Sequence, residues 1–432
     1  MRSPTVTPKL QRIAAQATHD RSRVFTTLAH LIDEDFLREA YRQTSKASAP
    51  GIDGVTAQMY AEHLDENLRD LHERLRSGRY QAAPVERVWI ETEGGGQRPI
   101  GKPTFEDKMV QRAVAMLLEA IYEQEFYDCS YGFRPGRSPH AALHALREQC
   151  MNEGIGWIVD ADVSGYFDSI DRTRLGEVLR QRVNDGRIVR LIGKWLRAGV
   201  MEEGELSHPE TGVVQGGVIS PVLANVFLHH VLDEWFAREV RPRMKGRCFL
   251  LRFADDFVIG CEREAAARRI MAVLPKRFAR FGLSIHPEKT TLIAFRQPDT
   301  RKGPAHGNGT FDFLGLTHYW TQSRRGFWVI KRRTARKRLR RTKKALWRWC
   351  RTNRHAPLTY QYQMLCLKLR GHFRYYGIQG NFRLLEEVLR SAEKAWRYWL
   401  SRRSSKSAIG WGKFQQLLKT YVLPTPKIVH HI

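Results

Sequence analysis

The chain is 432 residues long and carries 72 Lys and Arg against 45 Asp and Glu, a formal net charge of +27 at pH 7. This length predicts two or three domains around a substantial core and excludes a single small module. So large an excess of positive charge favours a polyanionic partner over mere solubility, and nucleic acid is the first candidate.

The cysteines and the apolar segments indicate where in the cell the protein is located. None of the six cysteines belongs to a Cys-x-x-Cys pair, which argues against zinc clusters and against a secreted disulfide framework. No apolar run reaches the roughly 18 residues of a membrane span, and no secretory signal follows Met1. We therefore expect a cytoplasmic protein that has no membrane partner.

The N-terminal region is predicted to be helical. Residues 1–49 carry apolar side chains at helical spacing, and a turn rich in Pro, Gly and Asp follows over residues 46–55. A second amphipathic helix is predicted over residues 57–76, where Ser77-Gly78 ends it. We expect residues 1–80 to form a helical extension and the start of the next domain.

A strand, a glycine-rich tip and a long helix come next. Val85–Glu91 alternates like a strand, and residues 93–99 are typical of a flexible hairpin tip. From this tip Arg98 could reach over an anionic ligand, although a plain solvent loop explains the segment equally well. A long amphipathic helix is predicted over residues 107–127.

Residues 130–138 combine two glycines with two arginines in the sequence Ser-Tyr-Gly-Phe-Arg-Pro-Gly-Arg-Ser. This composition suits close contact with a phosphate or a template strand, so we predict that Arg134 and Arg137 bind nucleic acid. A motif this short does not identify the ligand.

Two segments place acidic residues at the ends of apolar strands. Residues 156–162 are a strand pattern that ends at Asp162, and residues 250–260 are two apolar arms that close on Asp255 and Asp256. The second pattern predicts a β-hairpin with both carboxylates at its tip. Adjacent like charges repel, and a divalent cation with oxygen ligands would offset that repulsion while also binding phosphate.

A solvated turn is the alternative interpretation of the Asp255-Asp256 pair alone. Asp162 favours a metal site over a solvated turn, because two-metal sites gather carboxylates from separate strands. We therefore predict that the three acids form one metal-binding group. For Asp160 and Asp168, a capping or surface role is the better interpretation.

Residues 211–225 are a glycine-rich turn that continues into an apolar helix reaching Leu232. Gly216 and Gly217 allow the backbone to approach a ligand closely, and the side-chain amide of Gln215 lies beside them. Taken alone, the segment could equally be any joint between a loop and a helix.

The order of these motifs resembles bacterial group II intron reverse transcriptases, also called maturases. The segments that carry the resemblance are residues 131–138, residues 161–168, Gln215-Gly216-Gly217, Ser220-Pro221, residues 253–256 and Phe313-Leu314-Gly315. The similarity extends from about Lys46 to residues 423–426, which is nearly the whole chain. It implies an α+β right-hand polymerase fold with fingers, a palm built on an antiparallel sheet, and a helical thumb, or X domain. Fingers and palm would span residues 81–320, and the thumb residues 321–432.

The resemblance also assigns roles to individual residues. Asp162, Asp255 and Asp256 match the family's ligands of two Mg²⁺ ions. Phe167 matches an aromatic gate, whose ring would collide with a ribose 2′-hydroxyl. The other matches are Arg98 on the triphosphate, Gln215 in the pocket of the incoming nucleotide and Lys289 near the primer end.

Three positions depart from the family pattern. Phe253 replaces the usual Tyr before Ala-Asp-Asp, which keeps the ring and loses one hydroxyl. Val214 replaces the usual Pro, and no basic counterpart lies near Thr92. The last departure leaves the triphosphate contacts one cation short, and Lys102 could compensate.

Beyond Gly315 the composition becomes strongly basic. Residues 331–344 contain no acid. A charge run is usually a solvated face, but this density of positive charge would destabilise the fold without a polyanion. We therefore predict an RNA-contacting helix. Its contact residues would be Lys331, Arg332, Arg333, Arg336, Lys337, Arg340, Arg341 and Lys344.

Two more helical patterns follow, over residues 365–376 and 382–400. We expect their aromatic residues, including Trp396, Tyr398 and Trp399, to form a three-helix core rather than stacking platforms. We also expect no H-N-H endonuclease domain, because no Cys-rich cluster is present and no sequence remains for one after Ile432.

The implied function is an RNA-directed DNA polymerase that binds a structured group II intron RNA, assists its splicing and copies it into DNA. Its partners would be this or another structured RNA, an RNA template with a DNA primer, and dNTPs, with Mg²⁺ as cofactor. Two alternatives stay open, a domesticated reverse transcriptase in phage defence or DNA repair, and a non-catalytic maturase. The three acids favour an enzyme, but the sequence does not reveal template preference, oligomeric state or an accompanying intron.

Overall fold

The computed structural model describes residues 5–91, 96–202, 205–207, 211–213, 215–298, 309–404 and 408–432. Over these residues the protein is a mixture of helices and sheets, as predicted for an α+β fold. The described strands are β1 (Val85–Glu91), β2 (Gln97–Lys102), β3 (Trp157–Ala161), β4 (Val200–Glu202), β5 (Glu205–Ser207), β6 (Cys248–Phe253), β7 (Asp256–Cys261), β8 (Thr291–Ala294), β9 (Phe311–Phe313), β10 (Leu316–Gln322) and β11 (Trp328–Thr334).

Helices fill the spaces between these strands and form the C-terminal part of the chain. They are α1 (Val6–His19), α2 (Glu34–Gln43), α3 (Ala57–Glu62), α4 (Leu64–Ser77), α5 (Phe105–Tyr122), α6 (Pro139–Asn152), α7 (Tyr166–Ser169), α8 (Arg172–Arg180), α9 (Gly186–Arg197), α10 (Ser220–Leu228), α11 (Glu264–Ala279), α12 (Arg336–Thr352), α13 (Leu358–Tyr376), α14 (Phe382–Leu400) and α15 (Trp411–Thr420). Two short π-helical turns, His229–Asp233 and Phe236–Val240, follow α10.

The N-terminal helices differ in two places from the sequence prediction. The helical pattern over residues 1–49 is two helices, α1 and α2, and the side chain of Asp33 caps α2 by accepting from the Phe36 N–H. The helix predicted over residues 57–76 breaks at His63, whose backbone is not helical, and this break separates α3 from α4.

The first sheet has the strand order β2-β1-β4-β5. β1 and β2 form an antiparallel hairpin in which Ile90 pairs with Arg98, and β4 adds to β1 in parallel. The strand predicted over Val85–Glu91 is confirmed. The tip of this hairpin includes Thr92, Gly94 and Gly95, which lie outside the described residues.

The second sheet lies at the centre of the molecule, with the strand order β6-β7-β3-β8 and antiparallel pairing throughout. The predicted hairpin is present as β6 and β7. Phe253 pairs with Asp256, which leaves Ala254 and Asp255 as a two-residue turn. α10 and α11 pack against one face of this sheet, where Leu250, Phe257 and Ile259 belong to the largest apolar core.

The opposite face of the central sheet packs against α6 and against a third sheet, whose strand order is β11-β10-β9. β10 and β11 pair along their whole length, from Leu316 opposite Thr334 to Gln322 opposite Trp328. The boundary that we predicted between residues 320 and 321 falls within β10 of this hairpin.

A separate core joins the C-terminal helices. Leu346, Leu369, Trp396 and Phe414 contribute to it from α12, α13, α14 and α15 respectively. The bounds of α14 agree with the helix predicted over residues 382–400. In the part of the chain that the structure describes, no helix is both long enough and apolar enough to cross a membrane.

The basic run over residues 331–344 is a helix only in part. Lys331, Arg332 and Arg333 belong to β11, and α12 begins after Ala335. The prediction of one continuous helix missed the apolar residues Trp328, Val329 and Ile330, which start this strand and pair with β10.

Candidate active site

The sheet register brings the predicted acids together. β3 pairs with β7 so that Ala161 lies opposite Phe257, and the next residues beyond this pair are Asp162 and Asp256. Side chains alternate between the faces of a strand, so Asp160, Asp162 and Asp256 share the face directed towards the third sheet. Asp255 lies next to them in the hairpin turn.

The proximity of these carboxylates shifts their pKa values. Burial raises the pKa of Asp256 to about 6, and the charges of Asp255 and Asp162 add to the rise. The pKa of Asp255 is also raised, chiefly by burial, while Arg98 acts in the opposite direction. The site therefore stores like-charge repulsion, which a bound cation would relieve.

Asp160 is a fourth member of this acidic group, which corrects its interpretation as a capping or surface acid. Its side chain is half-buried within β3. Burial raises its pKa to about 7, with further contributions from Asp256 and Asp162. Asp168, in contrast, is exposed in the first turn of α7, as expected for a surface acid.

Lys289 contacts the acidic group directly. The segment after α11 lies beside β3, where the His286 N–H donates to the Asp162 carbonyl oxygen over 2.8 Å. Lys289 Nζ then forms an ion pair with Asp162 Oδ2 at 2.8 Å. Lys289, which we predicted to lie near the primer end, is thus in contact with the acidic group, and the Asp162 carboxylate already accepts a cationic group.

The three acids have the oxygen donors that magnesium prefers, but their side chains do not converge on a single point. Mg²⁺ prefers carboxylate oxygens, and Asp162, Asp255 and Asp256 supply only oxygen donors. Among the residues that the structure describes, no three His, Cys, Asp or Glu side chains converge closely enough to enclose an ion as they stand. The type and charge of the donors fit the metal, and the mutual repulsion of the three acids is what an ion would offset.

The predicted nucleotide pocket joins two elements across the site. Arg98 Nε donates to Gln215 Oε1 at 2.6 Å, and the Gly101 N–H donates to the Gln215 carbonyl oxygen at 2.7 Å. Gly216 has a φ of 109°, and a Cβ there would lie 2.3 Å from the Gly101 carbonyl oxygen. Only glycine allows this close approach between the β1–β2 hairpin and the glycine-rich segment.

Phe167 lies on α7 and is only 9% exposed. Its ring packs against Tyr166 with a centroid distance of 5.4 Å, and its carbonyl oxygen accepts from the Val213 N–H at 2.7 Å. A cavity of about 310 Å³ lies next to α7, and Gln215, Asp168 and Arg172 are among its lining residues. Phe167 is thus held between the central core and the glycine-rich segment.

The departures from the family pattern have different outcomes. Phe253 keeps the aromatic position, with its ring 6.4 Å from that of Phe133. Lys102, which could compensate for a missing cation, forms an ion pair with Glu86 at 2.9 Å. Val214 and Thr92 lie outside the described residues.

A buried polar network holds the acid-bearing turn, and sequence reasoning missed it. The side chains of Arg252 and Asp233 are both 0% exposed, and they form a bidentate ion pair with distances of 2.9 and 2.6 Å. Arg252 Nη1 also donates to Asn225 Oδ1 at 2.9 Å and to the Ala254 carbonyl oxygen at 3.0 Å. Ala254 has a φ of 56°, so a strained turn residue is fixed by this guanidinium.

The same network anchors the segment of residues 130–138. Asn225 Nδ2 donates to the Gly132 carbonyl oxygen at 2.7 Å, and the Tyr131 N–H donates to the Arg252 carbonyl oxygen at 2.8 Å. A Cβ on Gly132 would lie 2.2 Å from the Ala254 nitrogen. This segment therefore supports the hairpin turn, a role that its composition did not reveal.

Arg134 belongs to this supporting structure, which corrects its predicted contact with nucleic acid. The residue is buried and donates to the carbonyl oxygens of Tyr127 and Ser130, each at 2.8 Å. It also forms an ion pair with Glu123 at 3.0 Å. Arg137 is partly exposed and pairs with Asp128 at 2.5 Å, so only Arg137 keeps a surface available to a ligand.

The other residues predicted to contact RNA differ in exposure. Arg332 is buried and donates to the carbonyl oxygens of Leu143 and Ile432, so we withdraw it from the RNA-binding set. Lys331 is half-buried in β11. The remaining residues are exposed, and they are Arg333, Arg336, Lys337, Arg340, Arg341 and Lys344.

Comparisons with known proteins match the region that contains these residues. Residues 90–318 match the family described as reverse transcriptase (RNA-dependent DNA polymerase). Protein YkfC of Escherichia coli is 39% identical over 281 residues, which cover 58% of this chain and 74% of that protein.

Two further relatives have names that refer to introns. The group II intron-encoded protein LtrA of Lactococcus lactis is 37% identical over 227 residues, which cover 51% of this chain and 37% of that protein. The nuclear intron maturase 1, mitochondrial, of Arabidopsis thaliana is 33% identical over 96 residues, or 22% of this chain and 13% of that protein. The aligned region therefore spans little more than a third of LtrA.

Proposed function

The chain belongs to the reverse transcriptase (RNA-dependent DNA polymerase) family, and on this premise we propose that it copies RNA into DNA. The observation that carries the proposal is the pairing of Ala161 with Phe257, which brings the adjacent residues Asp162 and Asp256 together beside the turn that bears Asp255. Arg98 on β2 lies close enough to lower the pKa of Asp255, and it donates a hydrogen bond to Gln215 of the glycine-rich segment.

We propose that the molecule has the fingers, palm and thumb of a right-hand polymerase. The β1–β2 hairpin would belong to the fingers, the central sheet to the palm, and α12 to α15 to the thumb, or X domain. Because β10 pairs with β11, we place the start of the thumb at about residue 335. Residues 1–80 would extend the fingers.

In this proposal Asp162, Asp255 and Asp256 would hold two Mg²⁺ ions. When bound, these ions supply Lewis-acid activation of the primer 3′-hydroxyl and neutralise charge on the leaving pyrophosphate. The protein's own part is to position the acids, with Asp255 half-buried in the turn and Asp256 exposed at the start of β7. Arg252 restrains that turn by donating a hydrogen bond to the Ala254 carbonyl oxygen.

The nucleotide contacts follow from the same geometry. The guanidinium of Arg98 would bind the triphosphate of a dNTP, and Gln215 would orient it through their 2.6 Å hydrogen bond. The ring of Phe167 would exclude nucleotides that carry a 2′-hydroxyl. Lys289 would lie at the primer end, because it contacts Asp162.

Extension of a DNA primer on an RNA template tests this function. We expect the purified chain to incorporate dNTPs in the presence of Mg²⁺, and Asp162→Asn to stop incorporation. Asp65→Asn is a matched control, because this acid lies on the surface with a side chain that is 73% exposed. Absence of extension by the wild-type chain, or equal activity of both variants, would contradict the proposal.

We also propose that the partner RNA is a structured RNA such as a group II intron, and that binding assists its splicing in the bacterial cytoplasm. The relatives named for introns support this, as do the exposed cations of α12, a helix without a single acid. A role in phage defence or DNA repair would use the same polymerase site with another RNA. A non-catalytic maturase would bind RNA without needing the three acids. The primer-extension assay of wild type and Asp162→Asn distinguishes it from an enzyme.

A further inference from the structure

The packing of α12 and α14 brings an aromatic cluster to the surface of the C-terminal helices. Trp347 is 36% exposed, and its ring centroid lies 4.7 Å from that of Tyr398 and 5.8 Å from that of Trp399. Tyr398 and Trp399 are only half-buried, whereas Trp396 on the same helix is fully buried in the core. The three residues Trp347, Tyr398 and Trp399 are called the aromatic cluster below.

Arginines border this cluster. The guanidinium of Arg402 lies 3.7 Å from the ring centroid of Tyr398, and that of Arg351 lies 5.7 Å from the ring centroid of Trp399. Both arginines are exposed, and neither forms an ion pair with any described residue. From Lys394 to Ser404 the chain contains Lys394, Arg397, Arg402 and Arg403 and no acid.

The cluster continues a row of cations on α12. Residues 4, 8, 11 and 15 positions after Arg336 lie on the same side of an α-helix, which places them on one face. That face consists of Arg336, Arg340, Lys344, Trp347 and Arg351. The buried residues of α12, Leu346 and Cys350, lie on a different side, against the core.

The geometry assigns this face to an RNA that carries unpaired bases next to a duplex. We propose that the cations of α12 contact the phosphates and that an unpaired base stacks on the exposed ring of Trp347. The distance from Arg336 to Trp347 is about 16 Å along the helix axis, at 1.5 Å per residue. Aromatic rings stack on any base, and arginines beside them strengthen the contact with a polyanion.

Charge complementarity favours RNA over a protein partner. A second copy of this chain would bring another basic surface, because the net charge of each chain is +27. The inference depends on the proposed function only in taking RNA as the partner. It adds that the C-terminal helices recognise the single-stranded part of the RNA, in addition to its phosphates.

The test compares RNA binding with and without unpaired bases. The probes are a two-stranded RNA duplex with a single-stranded overhang, the same duplex with abasic positions in the overhang, and the blunt duplex. Fluorescence anisotropy at fixed salt gives the Kd of each. We expect Trp347→Leu to weaken binding of the overhang RNA by about 5- to 150-fold, the worth of one stacked base, and to leave the blunt duplex unchanged.

Conservative variants separate stacking from packing. Trp347→Phe keeps an aromatic face and should retain most of the affinity, whereas Trp347→Leu keeps apolar packing without it. Phe382→Leu is the matched control, because Phe382 is exposed to 44% at the other end of α14. The salt dependence of binding should be the same in all three variants, since none changes a charge.

Three outcomes would overturn the inference. Equal losses on the overhang and blunt duplexes would show that Trp347 only packs, and so would failure of the Phe variant to retain affinity. Self-association that Trp347→Leu abolishes, with RNA binding unchanged, would assign the cluster to a second copy of the chain. Loss of primer extension would leave these binding results intact, so the two proposals fail independently.

Discussion

The acid-bearing hairpin β6–β7 and the helix α12 hold their charges in opposite ways. In the hairpin, Arg252 and Asp233 are completely buried, and the guanidinium is satisfied by Asp233, Asn225 and a backbone carbonyl group. On α12 the cations other than the half-buried Lys343 are exposed, and the helix itself contains no acid. Lys343 pairs with Glu387, and Arg348 pairs with Glu91.

The difference follows from the cost of desolvation. A buried charge must have well-placed partners, so it can fix the position of neighbouring groups. An exposed charge contributes little by itself and gains importance only from numbers and from a polyanion. The hairpin is therefore suited to chemistry that needs position, and α12 to binding that needs charge.

The largest expected effect concerns the turn itself. Asp255→Ala removes a carboxylate that would hold Mg²⁺, so we expect primer extension to fall on the order of 10³-fold or more, about 4 kcal/mol of transition-state stabilisation. RNA affinity should stay within a few fold. Single-turnover extension beside anisotropy measures both, and extension near the wild-type rate would refute the assignment of Asp255.

Breaking the buried ion pair tests whether Arg252 supports primer extension by positioning the turn, separately from its effect on stability. Arg252→Met leaves Asp233 buried without its partner and should lower the free energy of unfolding by roughly 3–5 kcal/mol. The double variant Arg252→Met with Asp233→Leu should regain most of that stability. Extension should nevertheless stay low, because the Ala254 carbonyl oxygen has lost its donor.

Arg182→Met is the matched control for this experiment, because Arg182 is also buried and paired with an acid, Glu125, but donates to the carbonyl oxygens of Asp20 and Arg23 rather than to the hairpin turn. Denaturant unfolding should show a comparable loss of stability, while extension under folding conditions stays near wild type. Recovery of extension in the double variant would mean that the network acts through stability alone.

The ring of Phe167 is expected to set nucleotide selectivity. Phe167→Ala opens space beside the glycine-rich segment, and discrimination between dNTPs and rNTPs should fall by roughly 10- to 200-fold, the usual worth of one steric contact. Incorporation of both nucleotides by the variant and by Phe167→Tyr measures this. Unchanged selectivity in Phe167→Ala would place the gate at another residue.

Neutralising cations on α12 should change the salt dependence of RNA binding. A variant with Gln at Arg336, Lys337, Arg340 and Lys344 should flatten the slope of log affinity against log salt by about 3, at roughly 0.7–0.9 for each phosphate contact. Gln at Arg69, Arg76, Arg187 and Arg190, which are exposed on α4 and α9, is the matched control. Equal slopes in wild type and both variants would mean that α12 is only a solvated face.

The smallest effect concerns pH in the absence of divalent ions. The pKa of Asp256 is raised to about 6 in the folded protein, so the folded state binds a proton more readily than the unfolded chain. This group therefore lowers stability as the pH rises from about 4 to 7. Asp256→Asn should raise the Tm at pH 8 in EDTA, and the gain should shrink towards pH 5.

Added Mg²⁺ should reduce the same gain, because the ion would offset the repulsion in the wild-type site. Thermal unfolding of wild type, Asp256→Asn and the surface control Asp65→Asn over this pH range provides the comparison. A Tm difference for Asp256→Asn that is the same at pH 5 and pH 8 would contradict the raised pKa.

Local patterns predicted the elements that carry the site. The two apolar arms around Asp255 and Asp256 predicted the hairpin, and α14 has the bounds that its periodicity indicated. In both cases neighbours in sequence determine the structure, through strand alternation or through helical spacing.

The features of the site that the sequence did not reveal depend on tertiary contacts. Arg252 and Asp233 are 19 positions apart, and only the packing of the turn after α10 against β6 brings them together. One signal was available, because Arg252 is a single charged residue within the apolar run Cys248–Phe253. Arg134 and Arg332 were misassigned for a related reason, since a basic motif does not show which guanidinium is buried.

We propose that the hairpin serves catalysis and α12 serves RNA binding. The most direct test measures primer extension and RNA binding on two variants. Asp255→Ala and the four-site α12 variant are each assayed for single-turnover extension on a short annealed primer and template, and for salt-dependent binding to structured RNA. We predict a double dissociation, with extension lost and binding kept in the first variant, and binding weakened with extension kept in the second. Parallel loss of both activities in either folded variant would contradict the account.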